Sequence, residues 1–533
     1  MKPEISQILE MQNLSQNTPS RGDSPLSTTP FWRPPFPRSQ TSSYLLTTCC
    51  LILTFGKIYT FYSTKWIFLA AVFIFKIGSL VCGTAPNSVA LIIGRAIAGV
   101  GSAGLFSGSL LIIAQTAPLE RRPIYTASIT FMYGVASVTG PLMGGMFTDH
   151  VTWRWCFYIN LPVGGLTILF IYLCFTAPKS VKTHSGLKSN LSQFDLPGLF
   201  FFLPCIVCIL LALQWGGATY TWGNVRIIVL FVLFGVLISI FVVLQILEDE
   251  KAMVPPRVIK NRNVWGATLF NFCLGGVYFM FIYYLPIWFQ AIKNVSATTS
   301  GLMNIPMLLG VVVFSIIAGA LVSTLGYYTP FMLVAPVLVG IGGGLLSTLT
   351  VDAPTGHWLG YQVIMGMGIG VGLQQPMVVV QAALDPADIP SATAIVMFAQ
   401  ILGGAVFVSV AQNVFQNELF RTLAQVPGVD AQAVVDAGAT LLRDVVSPEV
   451  LSQVLTAYNM AVTHTFYVGM AIGSLSLLGA LPVEWLSVQE EEEEEARDGR
   501  SLRGTSTRAG SCLQVWHYVT DPITTTQETQ QDR

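Results

Sequence analysis

Arg95 is the residue whose type and surroundings point most directly to chemistry. It sits in the apolar stretch "LIIGRAIAGVGSAG", with Gly99 and Ser102 on its own helical face at i+4 and i+7. A charge at that depth is costly unless it meets a water-filled cavity or a partner. The other outcome is snorkelling, in which the long stem returns the guanidinium to the interface. Apolar sequence on both sides favours the first. Lys76, in "FIFKIGSL", is a second intramembrane cation, without a glycine-rich face beside it. Asn271, Tyr278, Tyr283, Gln374 and Gln375 are candidate pocket residues, because polar and aromatic groups at membrane depth tend to face a cavity and aromatics suit apolar ligands. Their alternative use is interhelical hydrogen bonding or an interfacial belt. His464 reads as a packed helix residue rather than a proton relay. The spans hold no paired carboxylates, metal-spaced histidines, nucleophile motif or phosphate-cradling loop, so no catalytic activity is expected. Cys205 and Cys208 form a C-x-x-C pair, but inside an apolar run, where small packing residues are expected rather than a metal or redox site.

The elements that must position these residues are membrane helices. Of 533 residues, 53% are hydrophobic and only 10% charged, against about 25% charge in an ordinary soluble domain. A span needs about 20 apolar residues to cross a hydrocarbon core about 30 Å thick. About thirteen such candidates follow one another: 43–61, 66–83, 89–114, 123–147, 155–177, 196–215, 225–247, 264–290, 300–324, 329–350, 357–382, 391–415 and 460–482. The fold class is therefore an all-α membrane protein.

Alternate loops are basic: Lys57 and Lys65; Arg121 and Arg122; Lys179, Lys182 and Lys188; then Lys251, Arg257, Lys260 and Arg262. These face the cytosol by the positive-inside rule. The opposite side holds the sequon Asn294-Val295-Ser296, so Asn294 is a candidate glycosylation site. Residues 1–41 read as a disordered tail, 42–178 as an N-terminal bundle, 179–250 as a linker with two extra spans, and 251–486 as a C-terminal bundle. Within the last, 416–459 reads as a non-cytosolic loop with a helical pattern near 429–446. Residues 487–533 read as a disordered acidic tail carrying Glu490 to Glu495. The net charge of −1 leaves no basic face for nucleic acid.

Glycines mark close helix crossings. Gly99, Gly101 and Gly104 lie beside Arg95, and Gly104/Gly108, Gly140/Gly144 and Gly366/Gly370 are GxxxG pairs. In Gly140-Pro141-Leu142-Met143-Gly144-Gly145 the proline bends the helix and the glycines permit close approach, as in a hinge or a seal. A faint repeat relates Gly56 and "GRAIAGVGSAG" to "GALVSTLGYY" and "GMGIGVGLQQP" about 40 residues further on in each half. Repeated helical halves suit a secondary transporter.

"GKIYTFYSTKWIFL" (56–69), "GRAIAGVGSAG" (94–104) and "GPLMGGMFTDHVTWRWCFYINLPVGG" (140–165) together resemble the major facilitator superfamily, and within it the fungal drug:proton antiporter group with fourteen spanning helices. The resemblance runs from about Ser42 to Trp485. It implies a helical bundle in two pseudo-repeated halves that exports drugs, toxins or secondary metabolites by alternating access. Arg95 takes the proton-coupling role, and Gly140, Pro141, Gly144 and Gly145 lie at the interface between halves. It further implies a proton gradient in place of a cofactor, a small-molecule cargo, the lipid bilayer as the other partner, and a monomer in the plasma membrane; a vacuolar or vesicle membrane would show the same loop charges. Two departures stand out. Tyr59 to Thr64 lack the charges of the general superfamily loop. The family's first helix has no counterpart, so residues 1–41 are expected to replace native sequence through truncation or an erroneous gene model. The competing expectations are a transport-dead member and proton-coupled nutrient uptake.

Overall fold

The computed structural model describes residues 37–175, 195–217, 220–439 and 442–487. The long helices are α1 (Pro37–Phe61), α2 (Thr64–Thr84), α3 (Ser88–Thr116), α4 (Arg122–His150) and α5 (Asn160–Cys174), the last preceded by the turn Trp155–Tyr158. Two more, α6 (Leu196–Trp215) and α7 (Val225–Glu248), form the insert between halves. The second half holds α8 (Arg262–Lys293), α9 (Ile305–Leu325), α10 (Thr329–Ser347), α11 (Thr355–Leu373, continued as Gln375–Ala382), α12 (Ile389–Leu423) and α13 (Leu451–Leu475). Eleven helices among the described residues are long and apolar enough to cross a membrane. The two that fall short are α1, whose apolar part is only Leu46–Phe61, and α4, which is rich in Thr, Ser and Gly.

Several boundaries differ from those expected, for physical reasons. Five residues of the expected tail 1–41 are helical, because α1 starts at Pro37, and a first-turn proline loses no hydrogen bond. The expected loop 416–459 shrinks to 424–450, since α12 runs on to Leu423 and α13 begins at Leu451. Polar Asn417, Glu418, Arg421, Ser452 and Asn459 end the hydrophobic pattern there without ending the helices. At 35 residues α12 is about 52 Å long and outreaches a hydrocarbon core of about 30 Å. The helical pattern near 429–446 resolves into Ala431–Ala437 and Leu442–Val445. The expected span 300–324 is divided at Asn304, which separates the short helix Ala297–Met303 from α9. The remainder of both expected tails, and the lysines at 179, 182 and 188, lie outside the described residues.

Burial sorts the helices into a centre and a rim. The apolar windows of α8 and α11 are 78% buried, those of α5 and α7 only 11%. On α7, Val229, Val232, Val236 and Val243 are exposed, a lipid-facing surface rather than a flaw. The insert is fastened to the entry of the second half by Asp195, which caps α6 through Gly198 N–H and accepts from Gln245 and from Met253 N–H (3.2 Å). Gln245 in turn accepts from Val254 N–H at 2.8 Å.

Candidate functional site

Arg95 lies one-quarter of the way along α3 and is 1% exposed. Its guanidinium stacks over the Tyr44 ring of α1, 4.7 Å from the centroid. A planar guanidinium on an aromatic face keeps its charge and gains from the ring quadrupole. This burial rules out snorkelling: the side chain points into the bundle. The glycines around it set the depth of the contact. A Cβ on Gly99 would lie 2.6 Å from the Tyr44 carbonyl oxygen, and one on Gly104 would lie 2.6 Å from the Ala71 Cβ and 2.7 Å from the Phe55 ring. Gly101 turns instead towards Phe75 of α2. Thr48 Oγ1 donates to Gly99 O (3.1 Å) and Tyr59 Oη to Gly104 O (2.8 Å), so hydroxyls of α1 take up the carbonyls that close approach exposes.

The same construction recurs around α11. A Cβ on Gly310 of α9 would lie 3.2 Å from the Gly366 Cα, and one on Gly368 would lie 2.6 Å from Val339 N of α10. Gln362, four residues before Gly366 as Arg95 is before Gly99, is fully buried and donates to Met303 O at 3.1 Å. The sequence reading missed Gln362, because its repeat set Gly366 against Gly94 and so matched Arg95 to Met367. It also missed Tyr44, which lies in the Ser- and Thr-rich beginning of α1.

The two halves meet at the ends bearing the basic loops. A Cβ on Gly56 of α1 would lie 3.1 Å from Pro390 O of α12 and would run into Ala394. A Cβ on Gly319 of α9 would lie 2.9 Å from Pro123 O and 3.1 Å from the Ala127 Cβ of α4. Thus α1 pairs with α12 and α4 with α9, each joining one helix from either half. Gly140, Pro141, Gly144 and Gly145 are on α4, beyond these contacts towards its other end; Gly140 is half-buried.

The expected pocket residues are divided by the structure. Asn271, fully buried on α8, donates to Val396 O of α12 at 3.0 Å. Gln374 donates to Thr130 Oγ1 of α4, and Gln375 donates back to Val371 O (3.1 Å). Tyr278 is buried against Phe279, and Tyr283 packs edge-on to Tyr284. Asn271 and Tyr278 share a face of α8, with Tyr283 about 120° further round. Asn271 and Gln374 therefore serve as interhelical bonds in this conformation. An open hollow of about 590 Å³ lies elsewhere, at the end of the bundle bearing the basic loops, lined by Arg262 and 481–486; it holds the Arg262–Glu484 ion pair.

Lys76 does not join Arg95. Its stem lies along Gly164 and Gly165 of α5, on the other side of α2. Asn294 is exposed in the left-handed conformation that ends α8. His464 is half-exposed, with Nδ1 3.6 Å from Glu418 Oε2. Cys205 and Cys208 are free thiols.

Residues 38–408 match the sequence profile of the Major Facilitator Superfamily. The MFS-type transporter astH of Aspergillus oryzae is 58% identical over 449 residues, covering 84% of this chain and 80% of that protein. The efflux pump roqT of Penicillium rubens is 57% identical over 449 residues, covering 84% and 83%. The MFS-type efflux pump MFS1 of Trichophyton rubrum is 53% identical over 457 residues, covering 85% of each. Among solved structures, a double-tryptophan mutant of XylE shares the fold at a TM-score of 0.55, with 14% identity over 93% of this chain and 95% of that one. With the profile spanning most of the helical bundle and relatives above half identity along their length, this chain is a multi-pass membrane protein of the major facilitator superfamily.

Proposed function

We propose that the chain exports small, largely apolar molecules in exchange for protons, by alternating access, as a monomer in the plasma membrane. The observation that carries this reading is a wholly buried guanidinium, Arg95, in a bundle whose two halves touch through glycine at the cytosolic end. Two bistable contacts, α1 on α12 and α4 on α9, suit a rocking motion. Closed at the cytosolic end, the bundle holds the cargo path away from the cytosol; parting Gly56 from Ala394 and Gly319 from Ala127 would open it. Arg95 is a fixed charge that favours one arrangement over the other according to the protonation of its surroundings. Cargo selection falls to Asn271, Tyr278, Tyr283, Gln374 and Gln375, which exchange their present bonds for cargo when the halves part. Drugs, toxins and secondary metabolites are the cargo class, since relatives with over half of their residues identical are named efflux pumps. Asn294 carries glycan on the non-cytosolic side.

The test is accumulation of antifungal and fluorescent compounds in a pump-deficient yeast expressing the chain, with and without an uncoupler, beside Arg95→Ala at equal surface expression. Lower accumulation that disappears with the uncoupler and with the substitution is the expected result. Export that ignores the uncoupler would overturn proton coupling.

A further inference from the structure

A guanidinium keeps its proton throughout the pH range of a cell, so Arg95 can bias an exchange without carrying the proton. The carrier must titrate, be shielded from bulk water, and lie where protons enter. Two acidic side chains are buried among the described residues, Asp195 and Glu418. Asp195 is at the cytosolic end of α6 and already accepts from Gly198, Gln245 and Met253. That is a structural cap.

Glu418 is placed differently. It lies on α12, five residues from the non-cytosolic end of that helix, and is 9% exposed. Its Oε1 accepts from Arg421 Nη2 at 2.7 Å, and its Oε2 lies 3.6 Å from His464 Nδ1 of α13. Side-chain exposure falls from 69% at Arg421 through 38% at His464 to 11% at Glu418, a path graded from water to interior. The other groups at this end of α12 are Tyr458 of α13, which packs on Phe415, Tyr467 of α13, 5.9 Å from the His464 ring, and Tyr284 of α8, whose hydroxyl meets Gln412. The neighbouring helix Ala431–Ala437 begins at Asp430, which is exposed and caps Gln432 and Ala433. From α1 and α3, which also pack on α12, the charged groups are Arg95 on Tyr44 and, near the far end of α1, buried Lys57 over the Phe61 ring. Of these, Glu418 and His464 are the carboxylate and imidazole that face each other across two helices, one shielded and the other open to water.

We propose that Glu418 and His464 together form the site that binds the proton exchanged for cargo. This rests on the proton-coupled reading above. His464 takes a proton from the non-cytosolic side and hands it to Glu418: an N–H bond breaks, an O–H bond forms, and the carboxylate becomes neutral. The mobile element is α12 itself, because the same helix closes on Gly56 at its cytosolic end through Ala394. Neutralising Glu418 weakens its contact with His464, the link from this carboxylate to α13, as the halves rock.

The experiment uses the full chain in proteoliposomes, with rhodamine 6G as transported probe and dicyclohexylcarbodiimide as a label for shielded, protonated carboxyls. Glu418 is expected to label at least fivefold more at pH 5.5 than at pH 8, with the profile displaced in His464→Phe. Glu418→Gln is expected to lose at least tenfold of pH-gradient-driven accumulation. Glu418→Asp restores coupling with a shifted pH profile, which a merely structural role would not produce. If wild type responds to the gradient and Glu418→Gln responds equally, the assignment is overturned while proton coupling stands. If wild type ignores the gradient, the coupled reading falls and the assignment with it.

Discussion

The α1–α2–α3 and α9–α10–α11 triplets are built on one plan with different contents. In each, a glycine-rich third helix sinks into the first through one set of glycines and into the second through another: Gly99 and Gly101 in one, Gly366 and Gly368 in the other. Each buries one long polar side chain four residues before the glycine that meets the first helix. In the first triplet that side chain is Arg95, stacked on Tyr44; in the second it is Gln362, bonded to Met303 O. Helices α9 to α11 contain no Asp, Glu, Lys or Arg at all. The shared plan explains how the halves can rock as matched bodies. The difference lies in charge: Arg95 is a fixed cation in the first triplet, and a neutral amide, Gln362, stands at the matching place in the second.

The largest expected effect breaks this asymmetry directly. Arg95→Ala should lower gradient-driven export more than tenfold, whereas Gln362→Ala should lower it less than threefold, measured as probe accumulation at equal surface expression. Next come the two cytosolic contacts. Gly56→Val and Gly319→Val each force a branched side chain into an occupied space, at a cost of about 1–3 kcal/mol. Both should open the cytosolic end, read as increased labelling of Thr130→Cys by a membrane-impermeant maleimide in inside-out vesicles. Matched effects would support two equivalent hinges; an effect from one alone would break the symmetry. Tyr44→Leu should remove a cation–π contact worth about 0.5–2 kcal/mol and weaken coupling severalfold, with Tyr44→Phe close to wild type.

The smallest effect concerns the second half alone. Glu484 is held below the usual carboxylate range first by the Asn263 amide that donates to it (2.9 Å) and then by Arg262. A depressed folded value means that its contribution is present above the ordinary carboxylate pKa and is lost as pH falls through that range. The pair is partly exposed, so the contribution is small. Mild acid should loosen the end of the bundle after α13, seen as faster amide exchange at 481–487, and Glu484→Gln should abolish the pH dependence.

The bundle was legible in the sequence because hydrocarbon leaves few choices: long apolar runs joined by short polar breaks. Arg95 was legible for the same reason, since one cation in an apolar stretch is conspicuous. Its partner was not. Tyr44 lies among serines and threonines, where local pattern carries no signal of a contact across more than 50 positions. Glu418 was hidden for the opposite reason. It sits where the hydrophobic pattern has ended, so residues 416–459 read as a loop, although the helix continues and folds the carboxylate against His464. Asn271 and Gln374 were legible as polar groups at depth, but their choice of Val396 O and Thr130 Oγ1 depends on tertiary contacts.

The most direct test of the account is probe uptake into inside-out proteoliposomes under an imposed pH gradient, comparing wild type, Arg95→Ala and Gln362→Ala. The account predicts uptake that follows the gradient in wild type and Gln362→Ala and collapses in Arg95→Ala, with downhill flux preserved in all three. Uptake in Arg95→Ala that still follows the gradient would contradict it.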